Sequence, residues 1–92
     1  MTTNNKDPLT KYNRHILEFK RTLNEQYVRY ISRTVTLITL GRQAGLSQHQ
    51  IYKQAWKTLS IDKSLPDRGK DKIIVEAFRK YSQTLGFYNK KD

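Results

Sequence analysis

Apolar residues recur at helical spacing along most of this 92-residue chain. Leu9, Tyr12, Ile16, Phe19 and Leu23 follow one another at intervals of three and four. They form one stripe of a helix, with Lys11, Arg14, Glu18, Lys20 and Arg21 turned away from it. Asp7-Pro8 supplies the start signal, because the carboxylate accepts from free backbone N–H groups and proline suits the first helical position. Val28, Ile31, Val35 and Ile38 repeat the spacing in a shifted phase, so a kink or a change of packing partner is expected near Asn24–Tyr27. The pattern predicts a long N-terminal helix, with Ser32-Arg33-Thr34 as its break and as the cap of a second helix from about Thr34 to Gln43.

A third helix is expected from Ser47 to about Leu59, and residues 60–69, with their Ser, Asp, Pro and Gly, read as a loop. Asp67 then caps a fourth helix, whose buried stripe is Ile73, Ile74, Ala77, Phe78, Tyr81 and Leu85. Gly86 is suited to closing it. A strand pattern competes only over Thr34–Leu40, where β-branched residues cluster. The expected fold is all-α, a small bundle of about four helices. Residues 1–7 form a flexible N-terminal segment, 8–86 a single helical domain, and 87–92 a basic tail.

Composition narrows the function. There is no cysteine, which excludes disulfides and thiol-rich metal sites, and no cofactor or metal is expected. No segment reaches the roughly 18 apolar residues of a membrane span, and the first residues lack the apolar stretch of a signal peptide. The chain is expected to be cytoplasmic, without a membrane partner. Its net charge of +10, from 18 basic and 8 acidic residues, favours polyanionic partners. The span from Gln26 to Ile61 holds five Arg or Lys and no Asp or Glu, so little in it opposes a phosphate backbone.

That span contains Leu-Ile-Thr-Leu-Gly-Arg-Gln-Ala-Gly-Leu-Ser-Gln-His-Gln-Ile-Tyr-Lys-Gln-Ala-Trp at positions 37–56. A helix-turn-helix needs a small residue where its two helices approach most closely, which Gly41 would supply, and Ala44 would pack at the end of the first of them. Gly45 can take positive φ in the turn, where a Cβ would be strained. Leu46 and Ile51 pin the second helix to the first, and Ser47 caps it. On these residues the segment resembles the helix-turn-helix of phage repressors and Cro proteins, within an expected unit of 35–59. It departs from that pattern at Gln54, where an apolar side chain is usual, and Ala55 and Trp56 are expected to supply the packing.

The resemblance implies that the second helix enters the DNA major groove. Gln48, His49, Gln50 and Lys53 would then read bases, glutamine pairing with adenine and lysine donating to guanine. Arg29, Arg33, Arg42, Ser47 and Lys57 would meet phosphates and fix register. His15 and His49 have no metal-ligand spacing. Tyr27, Tyr30, Tyr52, Tyr81 and Tyr88 are candidates either for stacking on unpaired bases or for half-buried helix contacts. Trp56 belongs with Ile51, Ala55 and Leu59 in the core. No nucleophile is accompanied by an activating group, so catalysis is not expected.

Three functions fit these residues. The first is a sequence-preferring, duplex-DNA-binding regulator or accessory factor, possible as a homodimer through the N-terminal 3-4 repeat. The second is a small helical subunit of a larger ribonucleoprotein, similar in size, charge and helicity to the small subunits of CRISPR surveillance complexes. Such a subunit would hold RNA or displaced single-stranded DNA by its backbone. The third is an adaptor for an acidic protein, with aromatic residues as anchors.

Overall fold

The computed structural model describes residues 7–21, 23 and 27–89, with the side chains of 29–84 in the last stretch. Four helices account for nearly all of it: α1 Pro8–Arg21, α2 Tyr27–Gln43, α3 Gln48–Leu59 and α4 Asp67–Asn89. The chain is thus a small all-α bundle of four helices. The expected loose segment 1–6, the side chains of Tyr27, Val28, Leu85 and Tyr88, and tail residues 90–92 lie outside the described residues. No described helix is long and apolar enough to cross a membrane.

Asp7 starts α1 as its sequence implies, its Oδ1 accepting from the Leu9 N–H at 3.1 Å. The α1 stripe points inward: Tyr12, Ile16 and Phe19 are buried, and Leu23 just beyond the helix is buried with them. Leu9, at the outer end of the stripe, is 46% exposed. α2 is the central element, packed against the other three and most extensively against α4. Among the described residues the backbones of α1 and α4 do not come close, although their buried side chains belong to one core cluster.

Two expectations for the first half of the chain are corrected. The break falls between Arg21 and Tyr27, where the phase of the stripe shifts, and not at Ser32-Arg33-Thr34. The N-terminal helix is therefore short, with 14 residues, and the C-terminal part expected of it belongs to α2, which has 17; the longest is α4 with 23. The Thr34 hydroxyl, expected to cap, instead folds back on its own helix, as do those of Thr36 and Thr39. Thr34 donates to the Tyr30 carbonyl at 2.8 Å, Thr36 to Ser32 at 3.3 Å and Thr39 to Val35 at 3.0 Å.

The inner face of α2 is also displaced from the purely apolar stripe. Tyr30, Thr34, Leu37 and Ile38 are fully buried, whereas Ile31 and Val35 are only half-buried. A tyrosine and a threonine can hold core positions because their polar atoms are bonded there. The Tyr30 hydroxyl donates to Asp62 at 2.6 Å, and Thr34 donates as above.

Asp62 belongs to the connection between α3 and α4. It is buried and accepts from the Ser64 N–H at 2.9 Å and the Ser64 hydroxyl at 2.6 Å as well as from Tyr30. α4 begins at Asp67, whose carboxylate pairs with Lys70 at 2.8 Å. The helix continues through Gly86 to Asn89, beyond its expected end. Glycine accepts right-handed helical backbone as well as left-handed, at a cost of only about 1 kcal/mol relative to alanine.

Candidate nucleic-acid interface

The turn between α2 and α3 is built by two glycines with different tasks. A Cβ on Gly41 would lie 2.8 Å from Ile51 Cδ1 and Cγ1 and 2.9 Å from Tyr12 Cε1. Glycine is therefore what allows α1, α2 and α3 to converge at that point. Gly45 has φ of +84° and open space around its Cα. It ends α2, with its N–H bonded to the Arg42 carbonyl at 3.0 Å and the Leu46 N–H to the Gly41 carbonyl at 2.9 Å. This pair of bonds is the left-handed helix stop that glycine favours. Leu46, the next residue, packs on the core together with Leu40.

α3 opens immediately after with a reciprocal cap. The Gln50 N–H donates to Ser47 Oγ at 3.1 Å, and the Ser47 N–H donates to Gln50 Oε1 at 2.9 Å. Ile51, Ala55, Thr58 and Leu59 face inward and are fully buried. Ala55 takes the interior place that Gln54 does not. Gln54 is half-buried and donates from Nε2 to Thr58 Oγ1 at 3.1 Å.

Gln48, His49, Gln50, Lys53 and Lys57 are all exposed on the outer side of α3. His49, Lys53 and Lys57 are four residues apart and stand in one row. Gln50 is differently placed from its expected role. A bidentate pairing with adenine needs the carbonyl oxygen and the amide nitrogen together, and the oxygen is held by the cap. Gln50, Lys53 and Lys57 border a shallow hollow of about 390 Å³ against Leu9 and Tyr12 of α1.

The expected phosphate contacts do not form one patch. Ser47 and exposed Arg42 lie at the turn, where Arg42 Nη1 donates to the Leu46 carbonyl at 3.3 Å. Arg33 and Arg29 lie about 14 and 20 Å farther up the α2 axis from Arg42, at 1.5 Å per residue. Arg33 is half-buried on the α1 side, beside Lys11, Arg14 and His15. His15 Nε2–H donates to the Arg33 carbonyl at 2.8 Å, and burial holds the imidazole pKa below its ordinary value. Lys11 and Arg14 were legible only as the outer face of α1. Nothing in their spacing says which helix they adjoin.

One carboxylate was missed. Asp71 of α4 accepts from the Tyr52 hydroxyl at 2.8 Å, a bond that raises the tyrosine pKa. The acid-free span of sequence is therefore not an acid-free surface, because α4 brings a charge to the flank of α3. Trp56 is half-buried at that same flank, packed against the edge of the core that holds Ala55 and Leu59. It stacks on Tyr52, with ring centroids 6.2 Å apart and planes at 22°, and Lys70 Nζ lies 5.3 Å from its ring centroid.

The described tyrosines are engaged elsewhere than in an open row. Tyr30 is buried on Asp62, Tyr52 is bonded to Asp71, and Tyr81 packs with the Ile38, Ile51 and Ala77 cluster. The geometry therefore offers a capped helix with a basic outer row, one acidic flank, and no continuous aromatic platform among the described residues. Compared with known proteins, the chain matches no family model, no curated protein and no solved structure.

Proposed function

We propose that this protein binds duplex DNA through α3, as a small sequence-preferring helix-turn-helix regulator or accessory factor. It would act by occupancy, without chemistry of its own. The observation that carries this reading is the α2–α3 junction. A short connection, residues 44–47, ends one helix on Gly45 and starts the next on a Ser47–Gln50 box. His49, Lys53 and Lys57 are left on the open side. A helix held rigidly from beneath and basic on its outer row suits the major groove.

His49 and Lys53 are the proposed base readers, with Gln48 at the first turn beside them. Lys57, Arg42 and the Ser47 hydroxyl are proposed to meet phosphates, positioning the helix without reading sequence. The engaged tyrosines favour a duplex over single strands, whose bases need free aromatic faces.

Competitive binding to random duplex, single-stranded DNA and RNA over a range of salt, followed by selection from a random duplex pool, tests the reading. The expected result is a duplex preference with a recovered motif. Sequence-indifferent binding that is tighter on single strands would instead support the ribonucleoprotein subunit.

A further inference from the structure

The side of α4 turned away from α3 carries an apolar groove that the nucleic-acid reading does not use. α4 meets α3 through Asp71, and Ile73 lies two residues, hence about 200° of helix, beyond it. Half-buried Ile31 of α2 and exposed Pro66 of the connection, with buried Leu65 and Ile73 as the floor between them, line a hollow of about 680 Å³. It adjoins a second hollow of about 410 Å³, which shares Ile31 and Lys80 and adds Val35. Gly69 lies at one end, packed so closely that a Cβ there would lie 3.1 Å from Leu65 Cδ1.

The rim is positive. Lys72 and Lys80 are both exposed and stand about 12 Å apart along the helix axis. Glu76 lies between them, and Arg79 answers its charge at 3.6 Å. Among the described residues no ion pair engages the ammonium group of Lys72 or Lys80. An apolar trough with a cation toward each end is complementary to an amphipathic helix whose flanks are acidic. A second copy of this chain, at +10, is repelled by the same charges.

We propose that this groove docks an acidic amphipathic helix of a partner protein, its apolar residues over Ile31 and Pro66 and its carboxylates beside Lys72 and Lys80. The docking does not depend on α3 binding DNA, since the two surfaces lie on opposite sides of α4.

The probe is a synthetic helical peptide with leucines at alternating third and fourth positions and glutamates on its other face. It is titrated into the full chain while methyl and amide signals are followed by NMR. The methyl signals of Ile31, Leu65 and Ile73 are expected to shift, and the amides of His49 and Lys53 are not. Replacing both lysines, as Lys72→Ala with Lys80→Ala, is expected to weaken binding about tenfold, as the loss of two exposed charge contacts implies. Both side chains are exposed, and an unchanged far-UV spectrum checks that the double variant folds.

Equal binding of the peptide with lysines in place of glutamates would overturn the proposal. So would unchanged affinity in the double variant, shifts confined to α3, or self-association of the chain that protects the groove methyls.

Discussion

The Tyr30 hydroxyl donates to the Asp62 carboxylate at 2.6 Å, tying the central helix to the connection between α3 and α4, with both residues buried. The carboxylate pKa lies below its ordinary 3.8, held there first by the Ser64 hydroxyl and then by Tyr30, against the opposing effect of burial. Tyr30→Phe is expected to cost about 1.5–3 kcal/mol in urea unfolding, the range for a hydrogen bond to a charged group. Because the folded pKa is depressed, the stabilisation from Asp62 is complete above pH 3.8 and is lost as pH falls through the folded value. The Tyr30→Phe variant should therefore show a shallower loss of stability on acidification below pH 3.8 than the parent.

Gly41 and Gly45 separate two ways in which glycine matters. Gly41→Ala places a Cβ 2.8 Å from Ile51 and is expected to cost about 1–3 kcal/mol by overpacking. Gly45→Ala meets no atom within 4 Å but holds alanine at positive φ, at a cost of about 1–2 kcal/mol. A slower-relaxing core in Gly41→Ala alone, read as broadened Tyr12 and Ile51 NMR signals, distinguishes the two.

Gln50→Ala removes the acceptor for the Ser47 N–H and should lower stability by about 1 kcal/mol, as loss of a cap does. Because the cap holds Gln50 Oε1, the base preference of selected DNA should stay the same. A changed motif with an unchanged melting temperature would restore Gln50 to the role its position in the sequence implied.

Asp71→Asn keeps an acceptor for the Tyr52 hydroxyl and removes the negative charge at the flank of α3. If DNA lies along α3, affinity for any duplex should rise by about threefold at low salt and converge with the parent as salt increases. Fluorescence anisotropy against random duplex at several salt concentrations reads this directly.

The α1 stripe, the Gly45 turn and the Ser47 cap were legible because each is a local rule. Tyr12, Ile16 and Phe19 needed only helical spacing, and Gly45 with Ser47 only turn chemistry. The inner face of α2 was not legible, because Tyr30 and Thr34 are core residues only by virtue of Asp62, thirty-two positions away, and a helical carbonyl. Counting apolar residues passes over both. Asp71 beside Tyr52 was hidden for the same reason, since the contact spans nineteen positions and two helices. The reciprocal cap is half visible in the sequence: Ser47 reads as a cap, whereas the bond from its N–H to the Gln50 oxygen emerges only in the fold.

The account stands most directly on selection from a random duplex pool by the parent chain and by Lys53→Ala. The parent should recover a defined motif. The variant should lose about 1–3 kcal/mol at that motif, with relaxed preference at one position, while binding random duplex nearly as well. Equal losses on motif and random DNA, or no motif for the parent, would contradict the claim that the outer row of α3 reads sequence.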